Sequence, residues 1–166
     1  MNTHSGAALP VPELTVAAVA ADRGRFLVVE ERIKGKLVIN QPAGHVEPGE
    51  TLLQAVAREA LEESAWRFRP EAIVGIYLWQ TPDQRQCFLR IAFCGSCEQQ
   101  EPQRTLDTGI ERALWLSRDE LLHRASMLRS PMVLRCIDDY QNGSRLPFAL
   151  AQTLDMAQLA SHAVRL

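Results

Sequence analysis

The sequence predicts an α/β protein in which a mixed β-sheet is sandwiched between layers of helix. Three observations predict this fold class: β-rich segments flank one short acidic helix on both sides, further helical segments follow late in the chain, and the length suits one domain. Of the 166 residues, 46% are hydrophobic, and the formal net charge is −2. This composition is typical of a globular protein with a real core. It gives no reason to expect binding to polymeric nucleic acid or a membrane.

The first strands are predicted from short apolar segments bounded by turn residues. Residues 14–20 predict a buried strand, residues 25–30 a second one after the turn at 22–24, and residues 37–39 a third. The third leads through residues 40–42 into a loop that contains glycine. These segments lie before the acidic helix, so they supply the first half of the expected sheet.

The remaining strands and the later helices follow the acidic helix. The predicted strands cover residues 73–79, 86–93 and 113–116, with a turn at 81–83 between the first two. Ser117 is expected to cap a helix that runs to about Arg124, and residues 131–141 predict another helix that Asn142-Gly143 closes. A further helix is expected over residues 149–164.

The acidic helix is the most informative segment of the chain. Thr51, followed three residues later by Gln54, forms a capping box, which predicts that a helix begins there. At about 100° per residue, the apolar residues between positions 52 and 61 occupy one half of that helix. Glu59, Glu62 and Glu63 have i, i+3 and i, i+4 spacings. Their carboxylates therefore lie on neighbouring turns, along one edge of the apolar face.

The charge around this helix indicates a bound cation. Five glutamates and one arginine lie between Gly44 and Trp66, and like charges at this spacing destabilise an isolated helix. Carboxylate oxygens select hard divalent ions, and Mg²⁺ prefers one or two carboxylates together with substrate phosphate oxygens. A solvated acidic face is the ordinary alternative. It does not explain the entry at residues 45–49 or the fixed spacing back to Gly44.

The spacing of these residues resembles the Nudix box: a glycine, five residues, a glutamate, seven residues, then Arg-Glu, an apolar residue, any residue and Glu-Glu. The matching residues are Gly44, Glu50, Arg58, Glu59, Glu62 and Glu63. One position departs from the pattern, because Ala65 stands where the family has a glycine that ends the helix. This change implies either a longer helix or a strained turn.

The resemblance extends over most of the chain. Residues 27–31 (LVVEE), 40–45 (NQPAGH) and 128–131 (LRSP) are similar to the NudJ-type branch of small bacterial Nudix phosphatases, which act on nucleoside tri- and diphosphates and on hydroxymethylpyrimidine pyrophosphate. The resemblance implies an α/β/α sandwich with the box as loop-helix-loop. It also implies hydrolysis of phosphoanhydride bonds with release of phosphate, dependent on Mg²⁺, with Mn²⁺ as the other candidate metal.

The resemblance further implies which residues hold the metal. The implied ligands are the carboxylates of Glu59, Glu62 and Glu63 and a backbone carbonyl of Ala43 or Gly44. Arg58 is expected to hold a neighbouring glutamate in position, and Glu50 to act as a weak or supporting ligand. A helix-surface ion pair worth under about 1 kcal/mol is the plainer interpretation of Arg58. The matched spacing favours the positioning role.

The general base stays open between four carboxylates. This group takes the proton of the attacking water. The candidates are the box glutamates Glu59 and Glu62 and two later acids, Asp107 and Glu111. Glu111 precedes Trp115 by four residues, a placement similar to that of an acid which the family carries after the box. A solvated position at a strand end is an equally good interpretation of Glu111.

Substrate contacts are predicted less sharply than metal contacts. Cations that could face phosphate are Arg25, Lys34, Lys36 and Arg90; aromatic residues that could stack on a ring are Trp79 and Phe88; polar residues at the loop are Asn40, Gln41 and His45. Each has an ordinary alternative as a solvated charge, a core aromatic residue or a plain loop residue. The substrate-binding candidates we select are Arg25, Lys36, Gln41, His45 and Trp79.

Two other functions compete with phosphate release. The first is an ADP-ribose or nucleoside-diphosphate-sugar pyrophosphatase, because Pro82 lies 16 residues after Trp66, as a proline does in some ADP-ribose hydrolases. Residues 81–83 are also a plain turn, so this cue is weak. The second is a non-catalytic nucleotide sensor on the same scaffold. It is disfavoured because every carboxylate of the implied metal site is present.

The remaining expectations concern organisation and location. We expect a tail over residues 1–12, the hydrolase domain over 13–150 and a helical extension over 151–166. The expected partner is a small phosphorylated metabolite or nucleotide, and the chain is expected to be a monomer or homodimer. The start lacks a secretory-signal pattern, so we expect a cytoplasmic protein with reduced cysteines. Cys94 and Cys97 have redox or half-zinc spacing, but a strand end followed by a turn is favoured.

Overall fold

The structure is a computed structural model that describes residues 10–150. Within this range there are seven strands and three α-helices. In chain order they are β1 (Glu13–Asp22), β2 (Arg25–Ile33), β3 (Lys36–Asn40), β4 (Ala43–His45), α1 (Leu52–Ser64), β5 (Trp66–Gln80), β6 (Cys87–Gln100), β7 (Ile110–Ser117), α2 (Arg118–His123) and α3 (Met132–Gln141). Short 3-10 turns lie at Ala125–Met127 and Phe148–Leu150.

The strands form one mixed sheet. Its main order is β3-β2-β1-β6-β5, with β4 paired to β1 and β7 paired to β2. The β1–β6 pair is parallel, and every other strand pair is antiparallel. Because β1 and β6 lie side by side in the centre, residues 75 positions apart in the chain become neighbours, such as Thr15 and Arg90.

Alternate residues of β1 enter two separate cores, because successive side chains of a strand point to opposite faces. Val16 and Ala18 pack with the apolar face of α1. Ala17 and Val19 pack with residues of α2 and α3 on the opposite face. Helix therefore covers both faces of the sheet, and the predicted α/β/α sandwich is confirmed.

Helix α1 begins and ends where local chemistry requires. The hydroxyl of Thr51 accepts a hydrogen bond from the Gln54 N–H at 3.2 Å, and the Gln54 side chain accepts one from the Thr51 N–H at 2.8 Å. The predicted capping box is thus confirmed. The helix ends at Ser64, and Ala65 follows in the left-handed region with φ of 59°. Alanine in place of glycine therefore gives a strained turn, which costs on the order of 1 kcal/mol, and not a longer helix.

Three predictions about strands were wrong in detail. Residues 43–45, expected to be loop, form β4 against β1. Strand β5 begins at Trp66 and not near residue 73, with register shifts on both sides of Pro70. Strand β6 does not end in a turn after Cys94 but continues to Gln100, so Cys94 and Cys97 pack in different cores. This separation removes the redox and half-zinc interpretation.

The later helices agree with the sequence. Ser117 caps α2 through a second capping box, and α3 runs from Met132 to Gln141 after Pro131. The helix expected over 149–164 lies almost entirely outside the described residues, as does most of the tail expected over 1–12. No helix between residues 10 and 150 has both the length and the apolar character needed to cross a membrane.

Candidate active site

A cleft of about 530 Å³ opens where α1, β4 and the start of α3 meet the sheet. Two groups of residues line it. We call the first group, Glu59, Glu62, Glu63 and Asp107, the acidic wall. We call the second group, Thr15, Trp79, Phe88 and Arg90, the strand wall, because β1, β5 and β6 carry it.

Arg58 organises the acidic wall. Its guanidinium donates to both carboxylate oxygens of Glu50, at 2.6 and 3.0 Å. It also donates to Glu59 at 2.8 Å and to Glu62 at 3.0 Å, and to the backbone carbonyl of His45 at 2.9 Å. The hydrogen bond to Glu50, above all, raises the pKa of Arg58. One permanent cation therefore ties the loop before α1 to two glutamates on the helix.

Glu63 is a partly buried carboxylate of this wall. One of its oxygens accepts a hydrogen bond from the Ala43 N–H at 2.9 Å, and within residues 10–150 no basic side chain forms an ion pair with it. Burial raises the pKa of Glu63 to about 8, the Ala43 N–H opposes this rise, and the neighbouring carboxylate of Glu59 adds to it. At neutral pH this side chain needs either a proton or a nearby cation.

Glu59 lies against the backbone of β4. It is 8% exposed, and burial raises its pKa while its hydrogen bond from Arg58 opposes that rise. A Cβ added at Gly44 would lie 2.2 Å from the Oε1 atom of Glu59. A side chain at this first glycine of the box would therefore displace the Glu59 carboxylate from its hydrogen bond with Arg58 or move β4.

The loop between β6 and β7 brings Asp107 to the acidic wall. The Asp107 N–H donates to the carbonyl of Glu62 at 3.1 Å, and the Glu101 N–H donates to the carbonyl of Ala65 at 2.7 Å. These two bonds hold the loop against the last turn of α1. The alternative acid, Glu111, does not line the cleft and accepts a hydrogen bond from Arg32 at 2.7 Å.

The acidic wall has the donor chemistry of a divalent-cation site, although its carboxylates do not yet surround one point. Between residues 10 and 150, no three acidic, histidine or cysteine side chains converge closely enough to hold an ion. The reason is that Arg58 engages Glu59 and Glu62 while the Ala43 N–H engages Glu63. Carboxylate oxygens fit Mg²⁺ or Mn²⁺ in kind, and the uncompensated burial of Glu63 is what a cation would relieve.

The strand wall presents a flat aromatic surface beside a buried cation. The rings of Trp79 and Phe88 stack with centroids 5.9 Å apart and planes 17° apart. Arg90 follows Phe88 by two residues on the same face of β6, and it is 5% exposed. Thr15 of β1 is its register partner. Ser130, in the segment before α3, also lines the cleft.

Only part of the predicted substrate set reaches the cleft. Trp79 lines it, and so does His45, although the ring Nε2 of His45 lies 2.7 Å from a carboxylate oxygen of Glu13. Gln41 is buried outside the lining, where its amide donates to the carbonyl of Val133 at 2.7 Å. That buried contact leaves Gln41 as a structural residue beside Asn40, which does line the cleft.

The two predicted phosphate-binding cations on the surface do not reach the cleft. Arg25 lies at the start of β2, next to β7, where it donates to the carbonyl of Trp115 at 2.7 Å and pairs with Glu120. Lys36 is exposed at the start of β3. Neither lines the cleft, so the structure does not support a substrate contact for either.

Several lining residues were missed from the sequence. They are Thr15, Glu31, Glu47, Arg129, Ser130 and Met132. One signal was available: Thr15 is the single hydroxyl-bearing residue in the otherwise apolar segment 14–20. Glu47 lies within the box itself, and Arg129 and Ser130 lie in the 128–131 segment, so two further local signals were not used.

Comparisons with known proteins agree with this geometry. The model of the NUDIX domain matches residues 11–136. The chain is 44% identical over 139 residues to Phosphatase NudJ of Escherichia coli (strain K12), an alignment that covers 84% of this chain and 90% of that relative. The identity and coverage are the same for Phosphatase NudJ of Shigella boydii serotype 4 (strain Sb227).

Solved structures give the same result. A NUDIX hydrolase from Nitrosomonas europaea matches with a TM-score of 0.85 at 44% identity, covering 88% of this chain and 99% of that one. A UDP-X diphosphatase matches with a TM-score of 0.66 at 17% identity, covering 85% and 70%, and this likeness concerns the fold alone. Fold and comparisons together define a hydrolase on an α/β/α sandwich. The chain belongs to the Nudix family and is a Nudix hydrolase.

Proposed function

We propose that this Nudix hydrolase cleaves phosphoanhydride bonds of small di- and triphosphates and releases orthophosphate. The observation that carries the proposal is the acidic wall, where the partly buried carboxylate of Glu63 lies beside Glu59, Glu62 and Asp107 and pairs with no basic side chain between residues 10 and 150. The 44% identity to Phosphatase NudJ favours phosphate release over other products. Proposed substrates are nucleoside tri- and diphosphates and hydroxymethylpyrimidine pyrophosphate.

Mg²⁺ or Mn²⁺ is the proposed cofactor, in line with the general use of divalent ions by Nudix hydrolases. Glu59, Glu62 and Glu63 would hold the ion, with the backbone carbonyl of Ala43 or Gly44. When bound, such an ion neutralises phosphate oxygens and lowers the pKa of the attacking water. Its positive charge would also offset the cost of burying Glu63 in the ionised form.

The protein's own groups supply positioning and a proton acceptor. Arg58 holds Glu50, Glu59 and Glu62 beside the cleft through its fork of donors, and Glu59 and Glu62 would turn from Arg58 toward the ion when it binds. The proton of the attacking water would pass to one of the acids of the wall, Glu59, Glu62 or Asp107. Glu111 is the weakest of the four candidates, because it is paired with Arg32 away from the cleft.

A substrate panel with product identification tests the proposed reaction. Phosphorus NMR with ATP, GTP, hydroxymethylpyrimidine pyrophosphate and ADP-ribose, each with Mg²⁺, Mn²⁺ or EDTA, is expected to show metal-dependent orthophosphate from the first three. AMP from ADP-ribose without orthophosphate from ATP would favour the pyrophosphatase alternative. Pro82 gives that alternative no support, because it lies in the turn between β5 and β6 and does not line the cleft. No product from any compound would favour a sensor.

The change Glu63→Gln tests the metal site directly. We expect turnover to fall by about a hundredfold or more, because the amide cannot replace a carboxylate on a hard cation. The fold should survive, since the amide oxygen can still accept the hydrogen bond from Ala43. Circular dichroism checks the fold, and Glu98→Gln is the matched control that should keep full turnover, because the exposed Glu98 pairs with Arg69 outside the cleft. Near-normal turnover of Glu63→Gln would remove Glu63 from the site.

A further inference from the structure

Three buried polar atoms around the cleft lack a hydrogen-bond partner within residues 10–150. They are Thr15 Oγ1, Arg90 Nε and Ser130 Oγ, and in that part of the chain no other buried side-chain nitrogen or oxygen is in this state. All three residues line the one cleft. Leaving buried donors unsatisfied costs folding free energy, so their convergence on a cavity indicates a ligand that would satisfy them.

Arg90 is the most uncompensated of the three. Within residues 10–150 its guanidinium makes long contacts, at 3.4 Å, with the amide oxygens of Asn40 and Gln41, and it also contacts the buried thiol of Cys136. Between residues 10 and 150 no carboxylate forms an ion pair with it, and it is 5% exposed. Burial lowers the pKa of Arg90, while the charge of the more distant Glu63 opposes this effect. The guanidinium of Arg90 is thus buried, and its Nε–H has no hydrogen-bond partner within residues 10–150.

The surface next to Arg90 is shaped for a ring. Phe88 and Arg90 lie on one face of β6, and the stacked ring of Trp79 extends the aromatic surface onto β5. The hydroxyls of Thr15 and Ser130 flank the same space and can each donate or accept. An aromatic face beside hydrogen-bond donors is suited to a flat heterocycle, which can stack and present its edge at the same time.

We propose that Thr15, Trp79, Phe88, Arg90 and Ser130 form a ring subsite that binds the base of a nucleotide and selects an edge with two adjacent acceptors. An arginine fork matches the O6 and N7 acceptors of guanine, whereas adenine presents a donor next to N7. The preferred substrate class is therefore guanine nucleotides over adenine nucleotides. The inference rests on the proposed function, because the phosphate chain attached to the base must reach the acidic wall.

The proposal is tested by separating the base from the phosphates. We would measure kcat/KM for GTP and ATP, and the inhibition constant of inorganic tripolyphosphate, in the wild type and in Arg90→Met. The wild type is expected to prefer GTP. Arg90→Met should lower kcat/KM for GTP by about tenfold to a hundredfold, mainly through KM, and leave tripolyphosphate inhibition within about twofold. If Arg90→Met weakened GTP turnover and tripolyphosphate inhibition equally, Arg90 would be a phosphate contact and the proposal would be overturned. An unchanged kcat/KM for GTP would also overturn it.

Stability measurements separate a ligand role from a structural one. Arg90→Met removes a buried charge but also removes the donor to the buried amide oxygens of Asn40 and Gln41, so these opposed effects should leave the melting temperature close to that of the wild type. Thr15→Val and Ser130→Ala break no hydrogen bond within the described residues, so they should also stay stable while the KM for GTP rises. Unchanged KM values for GTP in both hydroxyl variants would remove the hydroxyls from the subsite.

Binding of nucleosides makes the test independent of hydrolysis. Ligand-observed NMR with guanosine and adenosine, which carry no phosphate, should show preferential binding of guanosine by the wild type and loss of that preference in Arg90→Met. Guanosine binding together with absent phosphate release would uphold the ring subsite and contradict the proposed reaction. Equal binding of the two nucleosides would overturn the subsite whatever the hydrolytic activity.

Discussion

The acidic wall and the strand wall each contain one arginine, and the two arginines have opposite surroundings. Arg58 makes five hydrogen bonds, to three carboxylates and a carbonyl. Arg90 is more deeply buried, and within residues 10–150 it makes three long contacts with neutral amides and a contact with the Cys136 thiol, but no ion pair. The difference indicates that Arg58 holds the acidic groups in place, whereas the Nε–H of Arg90 has no partner within residues 10–150 and can donate to a ligand. Changes in the acidic wall should therefore alter turnover, and changes in the strand wall should alter ligand choice.

The largest expected effect concerns Glu63 in the metal-free protein. Its pKa is about 8 when folded and 4.5 in the reference state, so the folded protein holds a proton that the unfolded chain releases between these values. Stability should therefore fall as pH rises from about 4.5 to 8, by on the order of several kcal/mol. Urea unfolding in EDTA at several pH values measures this slope, and Glu63→Gln should flatten it. Identical slopes in both proteins would mean that folding does not raise the pKa of Glu63.

The second effect is steric. Gly44→Ala places a Cβ atom within 2.2 Å of the Glu59 carboxylate, so either β4 or Glu59 must move. We expect a loss of turnover of about a hundredfold and a destabilisation of about 1–3 kcal/mol. Guanosine binding at the strand wall should persist, as ligand-observed NMR would show. Adding Glu59→Ala removes the clash, so the double variant should regain stability but not turnover. Equal loss of turnover and guanosine binding would contradict the assignment of turnover to the acidic wall and of base binding to the strand wall.

The third effect tests the positioning role of Arg58. Arg58→Lys keeps the charge but cannot donate to Glu50, Glu59 and Glu62 at once, so kcat should fall by about tenfold to a hundredfold with little change in KM. Steady-state kinetics with GTP measures both constants. Arg135→Lys is the control, because Arg135 is exposed and pairs only with Asp139 and therefore should change neither constant. A rise in KM without a fall in kcat would place Arg58 in substrate binding instead.

The smallest effect lies outside both walls. Ala65→Gly relieves the left-handed strain at φ of 59°, and after the higher chain entropy of glycine is subtracted we expect a gain of at most about 0.5 kcal/mol. Thermal unfolding measures the gain, and turnover should not change, because Ala65 does not line the cleft. A lower melting temperature would show that the methyl group contributes more by packing than it costs by strain.

Features that depend on neighbouring residues could be predicted from the sequence. The capping box at Thr51, the spacing of the box glutamates and the turns beside the strands are all determined within a few residues. The turn expected after Cys94 shows the limit of such reasoning. Gly95 lies within β6 and is not part of a turn. A glycine is needed there because a Cβ would lie 2.1 Å from the carbonyl oxygen of Arg69 on the next strand. Only the pairing of β5 with β6 reveals that approach.

Trp79, Phe88 and Arg90 of the strand wall were candidates from the sequence, but their grouping with Thr15 into one surface could not be predicted for a related reason. Thr15 and Arg90 become neighbours through the parallel register of β1 and β6, and no local pattern specifies that register. Arg25 was mistaken for a phosphate contact because its real partners, Trp115 and Glu120, are brought to it by the pairing of β2 with β7. Strand β4 was missed because a three-residue strand centred on Gly44 has little β propensity.

The joint between α1 and β5 has a consequence for engineering. Ala65 alone separates Ser64, the last residue of the helix, from Trp66, the first residue of the strand. One inserted residue there would have to bulge out or turn the helix by about 100°, which would swing the glutamates out of alignment. The turn at residues 22–24 between β1 and β2 is exposed, and no residue within six positions of it lines the cleft. An affinity tag or a grafted peptide therefore belongs at that turn, whereas the length of the helix–strand joint should be kept fixed.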